Sequence, residues 1–253
     1  MSGRLAVVGL GPGDARWLAP EADAALALAD ALFGYGPYLD RVPARPGQER
    51  HPSDNREELL RAREALELAA RGRKVALVSA GDPGVFAMAA AVCEAIAQGP
   101  DAWRALDVAF VPGITAMLAV AARVGAPLGH DFCALSLSDN LKTWETIEQR
   151  LDAAAGAGFV LALYNPISRA RPWQLGKTFE RLRRHLPAAT PVVFGRAVGR
   201  ADERVTLATL AEADGVEADM ATLIIVGSAA TRLVARPGLP PLVYTPRAAE
   251  TST

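Results

Sequence analysis

A short apolar run, Leu5-Ala6-Val7-Val8, ends directly in the loop Gly9-Leu10-Gly11-Pro12-Gly13-Asp14. That pairing limits what the chain can fold into more than any other feature. Glycines placed directly after a strand give backbone that turns tightly and meets a ligand with no side chain in the way. Glycine-bearing turns recur after two more strand-like runs. Gly81-Asp82-Pro83-Gly84 follows Val75–Val78, and Pro112-Gly113-Ile114-Thr115 follows Val108–Val111. Helical patterns fall between these runs, which predicts βα units and a mainly parallel sheet. Turns of this kind then lie at the carboxyl edge, where open α/β folds bind ligands, and three bare turns predict a backbone-lined cleft.

The spacing argues against a dinucleotide site. That motif opens its helix at the third glycine so that the helix N-terminus faces the pyrophosphate, whereas here Pro20 and Glu21 mark the helix start well beyond Gly13. Asp30 also precedes the second strand, Leu32–Tyr35, where a ribose-binding acid should follow it. Gly176-Lys177-Thr178 is not a phosphate-binding loop, because Arg171 stands where the leading glycine is required. A ligand with adenine, ribose hydroxyls and an amino-acid end, but no phosphate, suits exposed amides and carbonyls instead.

Basic and acidic residues nearly balance, 27 against 28, so no global field draws the chain to nucleic acid or an anionic membrane. Cys93 and Cys133 form no CxxC, and His51, His130 and His185 lack metal-ligand spacing, which predicts no metal and free thiols in a reducing cytoplasm. No apolar run approaches the ~20 residues of a spanning helix.

Further along, Pro20 to about Ala29 reads as a helix, and the polar stretch Gly36–Pro52 as a long surface loop able to close over a substrate. Ser53 can cap a helix carrying Leu59, Leu60, Leu66 and Leu68, with Gly72 at its C-terminal end. Four strands and four helices are expected by Arg123. Val124–His130 reads as a linker between an N-terminal α/β domain, 1–123, and a C-terminal α/β domain, 124–253, whose strand candidates are Phe132–Leu137, Phe159–Tyr164, Val192–Phe194, Thr222–Val226 and Leu242–Tyr244. The tail Ala248–Thr253 is expected to fray.

The segments GLGPGD, AGDPGVF at Ala80–Phe86 and PGITA at Pro112–Ala116 resemble the tetrapyrrole methylases, class III S-adenosylmethionine-dependent methyltransferases. Ser136–Asp139, the run Tyr164–Leu175 (YNPISRARPWQL), Gly195–Arg204 and Asp219–Gly227 resemble the branch of that family that methylates C-17 of precorrin-3B in cobalamin biosynthesis. One departure is Thr143 before Trp144, where that branch often has proline.

The resemblance implies two α/β domains with the cofactor cleft between them, a homodimer, and S-adenosyl-L-methionine as donor, released as S-adenosyl-L-homocysteine. By position it assigns the cofactor to Pro12, Ala80, Gly81, Asp82, Val85, Thr115, Ala116, Asn165, Ala197 and Thr222. The small-molecule substrate it implies is a tetrapyrrole with several carboxylates and a hydroxyl, methylated with ring contraction. Methyl transfer from a sulfonium needs geometry rather than a metal or an activated serine. Candidates to take the hydroxyl proton are Asp139, Lys142 and Tyr164. Tyr35, Arg169, Arg171 and Arg196 are candidates for the substrate, with Arg200 and Arg204 in the same basic cluster and Trp144 and Trp173 as possible walls. Rival readings are a C-11 or C-20 ring methylase, an enzyme for the cobalt-containing substrate, a methylase of a protein or RNA residue, and a non-catalytic tetrapyrrole- or nucleoside-binding module.

Overall fold

The computed structural model describes residues 3–248. The chain divides into two compact α/β units, one running to Thr115 and the other from Ala116.

The first unit runs β1 (Arg4–Gly9), α1 (Pro20–Leu28), β2 (Ala31–Tyr35), α2 (Gly36–Leu39), β3 (Glu49–Ser53), α3 (Glu58–Ala70), β4 (Lys74–Ser79), α4 (Met88–Gln98), α5 (Asp101–Arg104) and β5 (Asp107–Val111). Its strands form one parallel sheet in the order β3-β2-β4-β1-β5. Leu5, Val7, Phe33, Val75 and Leu77 pack with residues of α3 and α4, and Ala6, Val8, Leu32, Ala76 and Val78 with residues of α1 and α2. Both sheet faces are therefore covered, which is why β1 and β4 read as continuous apolar runs. Since β1 lies between β4 and β5, the turns after these three strands are neighbours at the carboxyl edge.

The expected loop Gly36–Pro52 is instead α2 followed by β3, so five strands rather than four precede Thr115. β3, Glu-Arg-His-Pro-Ser, pairs with β2 on one side only. An edge strand tolerates charges and Pro52, so it carries no apolar signature. The segment is also stitched down: Gln48 Nε2 donates to the carbonyls of Leu26 and Ala29 at 2.9 Å each, and Arg50 Nη2 to that of Val42 at 2.8 Å. This removes the physical basis for a free lid. Ser53 ends β3 rather than capping α3, and its hydroxyl accepts from Arg61, which is only 4% exposed. The buried face of α3 is Arg61, Ala62, Ala65, Leu66 and Ala69, whereas Leu60 is 54% exposed. Gly72 follows the helix at φ 88°, as a helix stop requires.

The second unit comprises α6 (Ala116–Val124), β6 (Gly125–Ala126), β7 (Phe132–Ser136), α7 (Trp144–Gly156), β8 (Val160–Tyr164), α8 (Gln174–Leu182), β9 (Pro191–Arg196), β10 (Arg204–Thr209), β11 (Thr222–Val226), β12 (Arg232–Arg236) and β13 (Leu239–Tyr244). Its main sheet has the order β10-β9-β11-β8-β7, with β7 and β8 parallel and the other pairs antiparallel. A small sheet, β12-β13-β6, completes it. The expected boundary at 123/124 thus moves to 115/116. The helix α6 packs on β9, so closely that a Cβ on Gly195 would stand 2.2 Å from Val120 Cγ2. Arg123 at its end forms a bidentate pair with Glu203. Part of the expected linker is strand β6, paired with β13. Strands β10 and β12 are additions to the expected set: both open on arginine, and most of their residues are exposed or half-buried, so neither carries a continuous apolar run. Of the expected frayed tail, residues 249–253 lie outside the described residues.

Candidate active site

The three turns of the first unit interlock through main chain. Leu10 N donates to Ser79 O at 2.8 Å, and Gly11 and Gly81 exchange a reciprocal pair at 3.1 and 2.9 Å. Contact is so close that a Cβ on Gly113 would lie 2.2 Å from Gly81 O, and one on Gly9 2.7 Å from the same oxygen. Gly11 and Gly81 also sit at φ 65° and 64°, a region glycine enters without steric cost. Backbone packed against backbone leaves a cradle that only glycine permits. Asp14 closes the first loop, accepting from Arg16 N at 2.9 Å and capping a turn of 3-10 helix before α1 begins.

Both oxygens of the Asp82 carboxylate accept main-chain amides. Oδ1 accepts Gly84 N at 2.8 Å, closing its own turn, and Oδ2 accepts Gly113 N at 3.0 Å, holding the third turn to the second. Asp82→Ala strands both amides, so about 1–3 kcal/mol of stability is expected to go, measured as a lower urea midpoint at an unchanged slope. Pro12, Ala80, Gly81, Asp82, Val85 and Thr115 all fall on these turns, with Thr115 buried and the others half-buried. Tyr35 ends β2 and meets Tyr38 edge-on at 5.2 Å. Arg41, in the stretch read as loop, reaches the carbonyls of Leu10, Gly11 and Gly13. Nothing in its sequence context marks it.

In the second unit, Asn165 and Ala197 hold φ of 51° and 49°, unusual for residues with a side chain. They follow β8 and β9, and Thr222 begins β11, the antiparallel strand between those two. The three expected cofactor residues therefore collect on one edge of that sheet. Asn165 Nδ2 donates to the buried Ser136 Oγ at 2.9 Å, and Ala197 N to Ala221 O at 2.9 Å. Thr222 Oγ1 donates to Asp219 Oδ1 at 2.9 Å. Tyr164 Oη accepts Met117 N at 3.2 Å, at the first turn of α6 and beside Ala116.

The expected substrate arginines differ in how committed they are. Arg196 donates to Asp202 at 2.7 Å and Asp219 at 2.8 Å. These contacts raise its own pKa. The hydrogen bond from Arg196 lowers that of Asp202. Burial would push the Asp219 carboxyl up, but hydrogen bonds from Thr222 and Arg196 hold it below its ordinary value. Arg171 is paired with Asp139 and donates to Asn140 at 2.6 Å, tying the SLSD segment to the YNP run. Arg169 is exposed, with no ion pair among the described residues. Burial, then the nearby Arg150 charge, lowers the pKa of Lys142. Trp144 packs on the core and meets Trp173 edge-on at 4.9 Å, with Trp173 44% exposed.

Among the described residues, no cluster of three or more His, Cys, Asp or Glu could hold a metal, and no helix is long and apolar enough to cross a membrane.

A model of the family described as Tetrapyrrole (Corrin/Porphyrin) Methylases matches residues 4–214. A Sinorhizobium protein named precorrin-3B C(17)-methyltransferase is 64% identical over 247 residues, which cover 98% of this chain and 97% of that one. The crystal structure of the methyltransferase CobJ matches with a TM-score of 0.92 at 49% identity, covering 97% of this chain and all of that one. A uroporphyrin-III C-methyltransferase from Thermus thermophilus, solved with S-adenosyl homocysteine, matches at a TM-score of 0.67 and 23% identity over 90% of this chain and 98% of that one, a likeness of fold alone.

Proposed function

The chain belongs to the tetrapyrrole (corrin/porphyrin) methylases, and from that membership we infer that it moves the methyl group of S-adenosyl-L-methionine to C-17 of precorrin-3B. Ring contraction accompanies the transfer, giving precorrin-4 and S-adenosyl-L-homocysteine in cobalamin biosynthesis. The observation that carries this reading is the near full-length identity to the Sinorhizobium enzyme.

The interlocked glycine turns fit a donor without phosphate. They are built of main chain packed so closely on main chain that a Cβ on Gly9 or Gly113 would not fit, and no helix starts at the third glycine to receive an anion. When bound, the donor supplies a methyl group on a sulfonium, an in-line displacement with a good leaving group. The task left to this chain is to hold the reacting partners in near-attack geometry. Pro12, Ala80, Gly81, Asp82, Val85 and Thr115 are the proposed donor residues of the first unit, and Ala116, Asn165, Ala197 and Thr222 those of the second.

Tyr164 is the residue we assign to the substrate hydroxyl proton. Its phenol oxygen accepts the Met117 N–H in the first turn of α6, and it directly precedes Asn165. Asp139 is committed to Arg171 and acts as loop scaffold. A second reading, with Lys142 as the base, is favoured by its lowered pKa, since a neutral amine accepts a proton. Arg169 is the proposed substrate-carboxylate anchor, because no acid among the described residues occupies it. Tyr35 remains a substrate residue in this reading. The homodimer is part of the proposal as well, supported by the exposed apolar side chains Leu233, Val234, Leu239 and Tyr244 of β12 and β13. Cytoplasmic location is supported by the free thiols of Cys93 and Cys133.

Incubation with precorrin-3B and methyl-labelled donor, followed by mass spectrometry, tests the function. A labelled methyl at C-17 is the expected result. Turnover confined to the cobalt-containing substrate, or to a C-11 or C-20 acceptor, would replace it, and bound but unchanged tetrapyrrole would make the chain a carrier.

Because Arg196 braces Asp219 and so the Thr222 turn, Arg196→Ala is expected to weaken S-adenosylhomocysteine binding severalfold in calorimetry, in keeping with the loss of one charge-assisted hydrogen bond. Unchanged affinity for this product, with weakened tetrapyrrole binding, would return Arg196 to the role of substrate anchor.

A further inference from the structure

We propose that Arg41 is a positioning residue that sets the first glycine turn in its donor-receiving shape before the donor arrives. The proposal rests on the reading that this turn takes S-adenosylmethionine. Arg41 Nη2 lies 3.0 Å from Leu10 O, 2.9 Å from Gly11 O and 3.0 Å from Gly13 O. Three carbonyl dipoles thus converge on one cation, an arrangement their mutual repulsion would otherwise oppose.

Peptide planarity turns this into control of the opposite side of the chain. A carbonyl fixed in one direction fixes the following N–H in the other. The Leu10–Gly11 peptide is held at both ends, its oxygen by Arg41 and its N–H by Gly81 O at 3.1 Å. Gly11 O is shared between Arg41 and Gly81 N, the latter at 2.9 Å. Gly13 O, facing Arg41, aims the Asp14 N–H away from it. Glycine turns are flexible on their own, so a clamp of this kind lowers the ordering cost that binding would otherwise carry.

The clamp is itself fixed. Arg41 follows Leu39 by two residues and precedes Val42, which are 2% and 5% exposed in the core cluster that also holds Val8 and Leu10. Val42 N donates to Leu39 O at 2.9 Å, and Arg50 Nη2 donates to Val42 O at 2.8 Å. The backbone that carries Arg41 is thus held in place on both sides of it.

The test compares the full-length chain with Arg41→Met and Arg41→Lys in calorimetry with S-adenosylhomocysteine and in steady-state kinetics. Arg41→Met is expected to weaken the product analogue about tenfold and raise KM for the donor to match, the scale of a hydrogen-bonding cation lost. At saturating donor, kcat should stay within about threefold, and Arg41→Lys, which keeps a cation, should recover part of the affinity. A purely structural arginine would lower thermal stability without this split between KM and kcat. Affinity of Arg41→Met within twofold of the parent overturns the proposal while leaving the donor site standing. A parent chain that binds no S-adenosylhomocysteine overturns both. Should Arg41→Met not fold, Arg41→Gln, which keeps a polar side chain but no cation, decides by the same ratio, since an affinity and KM equal to the parent's at reduced stability would make the residue structural only.

Discussion

Gly113→Ala is expected to weaken S-adenosylhomocysteine binding on the order of a hundredfold while leaving the second unit folded. The added Cβ would sit 2.2 Å from Gly81 O and 3.0 Å from Gly9 Cα, all main-chain atoms with no side chain to swing aside. One of the three turns must retreat, breaking the Asp82 bond to Gly113 N or the Gly11–Gly81 bridge. Overpacking costs of about 3 kcal/mol correspond to a change in affinity on the order of a hundredfold. Gly176→Ala is the matched control. Its Cβ would meet nothing within 4 Å, and it lies inside α8, so alanine there should raise stability by about 0.5–1 kcal/mol. Calorimetry on both variants checks the pair. If Gly113→Ala binds like the parent, the backbone cradle is not the donor site.

Tyr164→Phe is expected to lower kcat about a hundredfold, the lower part of the range for lost general acid–base catalysis, with donor affinity nearly unchanged. The fold should survive, because Tyr164 is only half-buried and water can take over its contact to Met117 N. The pH profile separates this role from its rival. With Tyr164 as base, its removal flattens the alkaline rise of kcat. With Lys142 as base, the rise persists in Tyr164→Phe and disappears in Lys142→Met. Because burial lowers the Lys142 pKa, its neutral form appears at a lower pH than that of an ordinary lysine, and activity would climb earlier as pH increases.

The legible parts of this chain share a physical cause. β1 and β4 are legible because both faces are buried and a glycine stands at or just past the end of each, and α1 because proline and acids open it. β3 escaped because an edge strand has no need of apolar residues. α6 reads with the strands before it because its apolar residues carry no mark of their partner, whereas in the structure it packs on β9 and β11 of the second unit. The site divides in the same way. Bare backbone can be built only from glycine, so the three turns announce themselves. The left-handed Ala197 is silent, since alanine has no preference for that conformation. The Arg196–Asp219 and Arg171–Asp139 pairs join residues far apart in sequence, and like-looking arginines nearby gave no means of telling the paired from the exposed Arg169.

Interlocking main chain has a consequence for how this molecule can drift. Amides and carbonyls offer the same chemistry whichever side chain hangs beside them, so the turns should accept change at exposed positions such as Pro112 and Ile114. Gly9, Gly11 and Gly113 allow none, because there an added Cβ would meet main-chain atoms of a neighbouring segment. Random variation across these turns would therefore produce a punctuated map, permissive nearly everywhere and absolute at three points. Such a socket can stay constant while the rest of the molecule diverges toward other acceptors.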